Sequence, residues 1–217
     1  MQNLTISQQF FLCAVNDKGK MPSTQTDHWV CFVFSAIMDM QLEDCIAIDE
    51  GKKATISTKG PLTSKLGHLQ PLHDHIAEKQ PLRITKLMEQ YAMGLSAKPR
   101  TALFDAVGTS LAQQSMASAE NSGFLSKSVG YVPTEGAVDQ VIDRIRATLL
   151  SSNNQAADDD TIILTALLKH SGLLRKHFSK DERKELKASV TAFANTESGT
   201  LLKKSLNYID SILAAVI

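Results

Sequence analysis

Between Asp27 and Glu43 the apolar residues fall on every side of a helix: Trp29, Val30, Phe32, Val33, Phe34, Ile37, Met38, Met40 and Leu42. A helix with no solvated face belongs in the middle of a fold. Directly after it CIAID and ATIST alternate as strands do, and the intervening EGKK reads as their turn. Upstream, Ser7 is placed to cap a short helix carrying Phe10, Phe11, Cys13 and Ala14, which ends in the NDKGKMP loop. Downstream, Pro61 opens a helix with Leu62, Leu66, Leu69 and Leu72 near one face. Pro81 starts another through Leu82, Ile84, Leu87, Met88 and Tyr91, stopped by Gly94, and residues 99 to 119 repeat the period through Leu103, Val107 and Leu111.

The segment GFLSKSVGYVP (123 to 133) breaks that period with Gly, Ser and β-formers, and predicts an irregular hairpin. Four helical stretches complete the chain. Val138, Val141, Ile142, Ile145 and Leu149 stripe the first. Asp158, Asp159 and Asp160 introduce the second, IILTALLKHSGLL, where acids suit the positive end of the helix dipole. The third starts near Ser179 around Leu186, Val190 and Phe193. The last runs from about Glu197 to the end with Leu202, Leu206, Ile209, Leu213 and Val216 on one stripe. The expected architecture is mainly α: one helical domain over 1–217, built around a buried helix, with a short two-stranded β pair and a protruding β-hairpin.

Length and charge narrow the classes of function. A chain of 217 residues can bury a full core. Lys+Arg of 23 against Asp+Glu of 23 leaves no net positive field, which argues against a nucleic-acid partner. Charge is uneven along the chain all the same. Residues 27 to 50 hold six acids and no Lys or Arg, whereas 169 to 187 hold seven bases against three acids and form a candidate basic face. Cys13, Cys31 and Cys45 are an odd number at no metal spacing, each in apolar surroundings, and read as reduced buried thiols of a cytoplasmic protein. The N-terminus lacks a basic leader region and a cleavage site, and the Val30 to Phe34 run is far short of the roughly 20 residues of a membrane span. A cytoplasmic protein is expected, peripheral on a membrane surface at most.

Motifs for nucleotide, hydrolase or zinc chemistry (GxGxxG, Walker A, GxSxG, HExxH) are missing, and no cofactor or metal is expected. His73 and His75 flank Asp74, but positions two apart on a helix point away from one another, so they read as two exposed histidines. His170 and His177 lie among Lys169, Arg175 and Lys176, which favours a solvated helix end over an anion site. Glu43 and Asp44 read as exposed loop carboxylates rather than an acid–base pair, and Trp29 as core. The hairpin carries more information. Phe124, Leu125, Val129, Tyr131 and Val132 cannot all be buried by a two-stranded ribbon. The surplus has to pack on the protein's own helices, on another subunit, or in a membrane interface.

The order of these elements resembles the Golgi phosphoprotein 3 family. LTISQQFFLCAVNDKG fits that family's opening L-T-x-x-E-E-x-x-L-L-L-A-L segment through Leu4, Thr5, Phe11, Leu12 and Val15. SAIMDMQLEDCIAID fits its E/D-L-x-L-x-G-R-I-x-L-type block through Asp39, Met40, Leu42, Ile46 and Ile48. The likeness continues through the hairpin, the DDDTIILTALLKHSGLL helix and the C-terminal helix. It implies a non-enzymatic, mainly helical peripheral membrane protein. Eukaryotic members help retain glycosyltransferases and bind phosphatidylinositol 4-phosphate in a pocket that uses a Trp, an Arg and two further basic residues. In this chain those places fall on Thr24, Val33, Asp105 and Gly108, none of the required type, so a divergent member without that pocket is expected. A phosphate of about −1.5 to −2 charge needs paired donors, which an acidic stretch denies it.

The resemblance also implies that the hairpin mediates self-association and presents an apolar tip to the bilayer. Phe124, Leu125, Lys127, Val129 and Tyr131 make that expected surface, with homo-oligomers forming through it. Arg175, Lys176, Arg183 and Lys184 are the expected contacts to anionic membrane lipid. The alternative is a soluble self-associating interaction scaffold with no lipid ligand.

Overall fold

The computed structural model describes residues 4–49, 53–94, 96–121, 129–150 and 158–195. Among the described residues three helices, rather than one, lack a solvated face. Every residue of α1 (Ile6–Ala14) is buried, as are Trp29 to Met40 in α2 (Thr26–Leu42) and Thr161 to Leu168 in α7 (Asp159–His170). α1 packs against α2 and α7, and α2 against α7, so the three form the centre of the molecule. The sequence concealed two of them. α1 carries Ser7, Gln8 and Gln9, and α7 is flanked by charges at both ends.

Burying polar residues of α1 requires partners for each. The cap is Thr5 rather than Ser7: its hydroxyl accepts from the Gln8 amide at 3.3 Å, and Gln8 Oε1 accepts from the Thr5 amide at 3.0 Å, a capping box. Gln8 Nε2 donates to Ser110 Oγ at 3.0 Å, and Gln9 Nε2 donates to the Leu4 carbonyl at 3.0 Å. The first free amides of the helix are taken from across the fold. Asp39 on α2 accepts from Ile6 N at 2.8 Å and Ser7 N at 2.9 Å. A buried carboxylate on the positive end of α1 thereby fixes the two central helices in register.

The strand pair gains a third member. β1 (Ile46–Asp49) pairs antiparallel with β2 (Thr55–Thr58), with Ile48 opposite Ile56, and β2 pairs with β3 (Leu82–Arg83). Two residues with Pro81 before them give too weak a pattern to read as a strand. The helix expected from Pro61 begins instead as a 3-10 turn, Ser64–Leu69, and becomes α3 (Gln70–Lys79) with Pro71 in its first turn. The helix expected from Pro81 is α4 (Ile84–Met88), continued by a π turn at Glu89–Met93. α5 (Lys98–Gln113) stops short of residue 119. Ser115, at φ 58°, reverses the chain into β4 (Ala117–Asn121), which pairs with β5 (Val129–Pro133). The hairpin therefore starts six residues before the break in periodicity suggested.

The remaining helices follow their caps. α6 spans Ala137–Leu149. Asp158 accepts from Thr161 N at 2.8 Å and opens α7. Gly172, at φ 77°, ends that helix earlier than the apolar run suggested, and α8 (Leu174–His177) follows as a separate turn. Ser179 and Glu182 form the capping box of α9 (Lys180–Ala194). Arg146 on α6 joins these pieces. It bonds Glu182 at 2.8 Å and the His177 carbonyl at 3.0 Å, and its guanidinium lies 5.3 Å from the centre of the Phe178 ring. The expected last helix from Glu197 lies outside the described residues.

Candidate functional site: the hairpin stem and the cleft beside it

The stem of the hairpin is seated by three close approaches that only glycine permits. Tyr131 of β5 lies across α5 at Gly108, where a Cβ would enter its ring. On the other edge of β5, the turn Asn16–Lys20 runs alongside the strand. Tyr131 N donates to the Gly19 carbonyl at 2.8 Å, and a Cβ on Gly130 would meet the Lys18 carbonyl. Gly19 has φ 63°, a backbone an L side chain resists. Asn16 closes that turn, its Oδ1 accepting from the amides of Lys18 at 3.0 Å and Lys20 at 3.1 Å.

Tyr131 then completes an aromatic cluster. Its ring centre lies 6.3 Å from that of Phe11 and 5.9 Å from that of Phe104, and its hydroxyl meets Thr109 Oγ1 at 3.0 Å. Phe11 and Phe104 are 4.7 Å apart, and Trp29 is 5.8 Å from Phe104. The ring is 5% exposed, so Tyr131, expected on the association surface, belongs to the core instead. Val129 remains half-buried at the stem's outer end. Phe124, Leu125 and Lys127 lie outside the described residues.

The four family pocket positions divide in the same way. Thr24 is exposed, Val33 is fully buried in α2, and the place at Gly108 is filled by the Tyr131 ring. Asp105 is half-buried, with its carboxyl raised by desolvation. Trp29 is core as expected, donating from its indole to the Pro22 carbonyl at 3.1 Å, and Arg100 lies 4.9 Å over its ring.

The basic face divides between two elements. Arg175 and Lys176 on α8 and Lys184 on α9 are exposed, and Arg183 on α9 is half-buried. Between the stem and α8 lies a cleft of about 370 Å³. Leu12, Val15, Asn16 and Asp17 line one side, Val132, Pro133 and Thr134 another, and Gly136, Val138, Asp139 and Lys176 close it. The base of the hairpin and the nearest residue of the basic face thus share one cavity. No feature of the sequence indicated that juxtaposition.

Other expected features resolve plainly. His73 and His75 are not the exposed pair expected. His73 is buried with Nε2 2.8 Å from the Gly60 carbonyl, and His75 Nε2 is 2.8 Å from Gln90 Oε1, with its ring edge-on to Tyr91. Asp44 is exposed as expected and Glu43 is half-buried; they pair with Lys59 and, at 3.1 Å, with Lys65 respectively. The three cysteines are free and buried, and burial pushes the Cys13 thiol up to about 12. His177 is half-buried, not solvated. Burial and the Lys176 charge hold its pKa below the ordinary value against the pull of the Cys13 carbonyl and Asp139.

A protein with this order of elements, three central helices, a small sheet and a seated hairpin, is of the mainly helical class to which the sequence pointed. A family model described as Golgi phosphoprotein 3 (GPP34) matches residues 6–209, and the chain belongs to that family. No curated protein matches it. Among the described residues, no helix is long and apolar enough to cross a membrane.

Proposed function

We propose that this chain is a non-enzymatic adaptor associating peripherally with lipid membranes, and that the phosphatidylinositol 4-phosphate pocket of its eukaryotic relatives is not used. The observation that carries the reading is the family match together with the seating of the hairpin stem, where Tyr131 and Gly130 of β5 are held against α5 and the 16–20 turn. Phe124 and Leu125 in that segment are the apolar anchor, with Lys127 and Val129 beside them. Arg175, Lys176, Arg183 and Lys184 supply contacts to anionic headgroups. Homo-oligomers form through the same hairpin.

Magnitudes favour more than one signal acting together. Burying one Phe–Leu pair contributes about 2–4 kcal/mol, marginal for stable membrane binding. An oligomer presenting several such pairs gains by effective concentration, and each Lys or Arg near an anionic surface adds about 1 kcal/mol, lost in salt. Against the phosphoinositide pocket, a basic side chain at position 108 would have to displace Tyr131 from the aromatic cluster.

The test is flotation with neutral, anionic and phosphatidylinositol 4-phosphate vesicles at low and high salt, comparing the native chain with the Phe124→Ser/Leu125→Ser variant. Salt-sensitive flotation on any anionic vesicle, abolished in the variant with thermal stability unchanged, is expected. Flotation by the variant equal to the native chain would remove the hairpin from the proposal. Failure to float on any vesicle, with the variant turning monomeric on gel filtration, would leave a soluble self-associating scaffold.

A further inference from the structure

The cleft beside the hairpin stem has a charge pattern that the helical packing does not use. Lys176, Asp17 and Asp139 are all exposed, and all three line the same cavity of about 370 Å³. None of them forms an ion pair with another described residue, although other surface charges on these elements do: Arg146 takes Glu182 and Asp143, and Arg144 takes Asp158. One ammonium and two carboxylates therefore border a single space without closing on each other. Leu12, Val15, Val132, Pro133 and Val138 supply apolar wall, and Asn16, Thr134 and Gly136 make up the rest.

We propose that this cleft binds a small zwitterion of the phosphoethanolamine type, with its phosphate on Lys176 and its primary ammonium between Asp17 and Asp139. A simple anion would meet two carboxylates, and a simple amine would leave Lys176 unmatched and facing it. A molecule with both charges satisfies the three residues at once. A phosphate accepts from the Lys176 ammonium, and a primary ammonium has three protons to give to carboxylates. A trimethylated ammonium has none. The choice of a phosphate rather than another anion rests on the membrane-associated function proposed above, because phosphoethanolamine is also a lipid headgroup. The position fits that source, since Val132 and Pro133 belong to the strand that leads from the hairpin.

Both a free metabolite and a lipid headgroup carry this chemistry, and two arms separate them. In the first, amide shifts of Val132, Gly136 and Asp139 in the full chain are followed by NMR during titration with O-phosphoethanolamine, glycerol 3-phosphate and ethanolamine. Saturable shifts with phosphoethanolamine are expected, with each half-ligand at least about tenfold weaker, equivalent to about 1.4 kcal/mol for the missing charge. Lys176→Gln and Asp139→Asn, both surface substitutions, should each weaken binding by a similar factor. Equal binding of phosphoethanolamine and either half-ligand, or unchanged binding by both variants, overturns the proposal. In the second arm, vesicles of phosphatidylethanolamine are compared with phosphatidylcholine, whose ammonium is methylated. Preferential flotation on the former, lost in Lys176→Gln, assigns the headgroup as source. Soluble binding without that preference supports the cleft with the free ligand as source. Flotation that ignores both headgroup and Lys176, with no soluble binding, refutes the cleft and leaves the hairpin reading intact.

Discussion

Asp39 offers the sharpest test of how the central helices are joined. Its carboxylate accepts the Ile6 and Ser7 amides, 33 and 32 residues away, and is 5% exposed. Asp39→Ala leaves two buried amides without partners, at about 1–3 kcal/mol each, so a loss of about 3–5 kcal/mol is expected at pH 4, shrinking as pH rises because the titrating group is gone. Asp39→Asn behaves differently. Burial pushes the carboxyl from 3.8 up to about 6, against hydrogen bonds from Ser7, Ile6 and Thr5 that pull it down. An acid raised in the folded state stabilises fully below its unfolded value and loses that contribution as pH rises through the folded one. The distance between the two values is worth about 3 kcal/mol. The amide resembles the protonated acid and carries no such dependence. In urea unfolding at pH 4, 5, 6 and 7, the stability difference between native chain and Asp39→Asn should move towards the variant by about 2 kcal/mol, the unfolded carboxyl being already more than half ionised at pH 4. Subtracting the two curves removes every other titrating group. A flat difference, or one moving the other way, would refute the account of Asp39 as a desolvated carboxylate held at the helix start.

Two further outcomes follow from the same physics. Gly108→Ala should cost about 1–3 kcal/mol by forcing Tyr131 out of its seat, whereas Gly67→Ala, with nothing within 4 Å of the added methyl, should change thermal stability little; equal effects would contradict the seating of the stem. His68 is held down at about 4 by burial beside Thr5 and Ser7, so its contribution is whole above 6.5 and is lost as pH falls towards 4. His68→Gln should flatten the acid limb of stability over that window, measured against the native chain by denaturant titration.

Legibility of the fold in the sequence varied with the kind of signal. α2 was plain because nine apolar residues around one helix allow no other place for it. The helix start near Ser179 and the acids before α7 are local signals, and the fold keeps both where the sequence puts them. The sequence locates α1 but hides its depth. Ser7, Gln8 and Gln9 look like a solvated face until Asp39, Ser110 and the Leu4 carbonyl are found beside them. The sequence places Tyr131 on an outer surface because a hairpin of alternating apolar residues reads the same whether its ring meets lipid, a second subunit or α5.

The chain by itself determined the helical class, the family and most element starts, since periodicity and caps depend on neighbours a few residues apart. Tertiary structure decided what lies at the hairpin's base. Gly19, Gly108 and Gly130 are far apart in sequence and silent as motifs, yet together they admit one tyrosine between α5 and the 16–20 turn. Asp17, Asp139 and Lys176 likewise carry no common spacing and become one cleft only after α1, α6 and α8 converge. Close approach and unpaired charge are properties of distances through space, which a linear pattern does not encode.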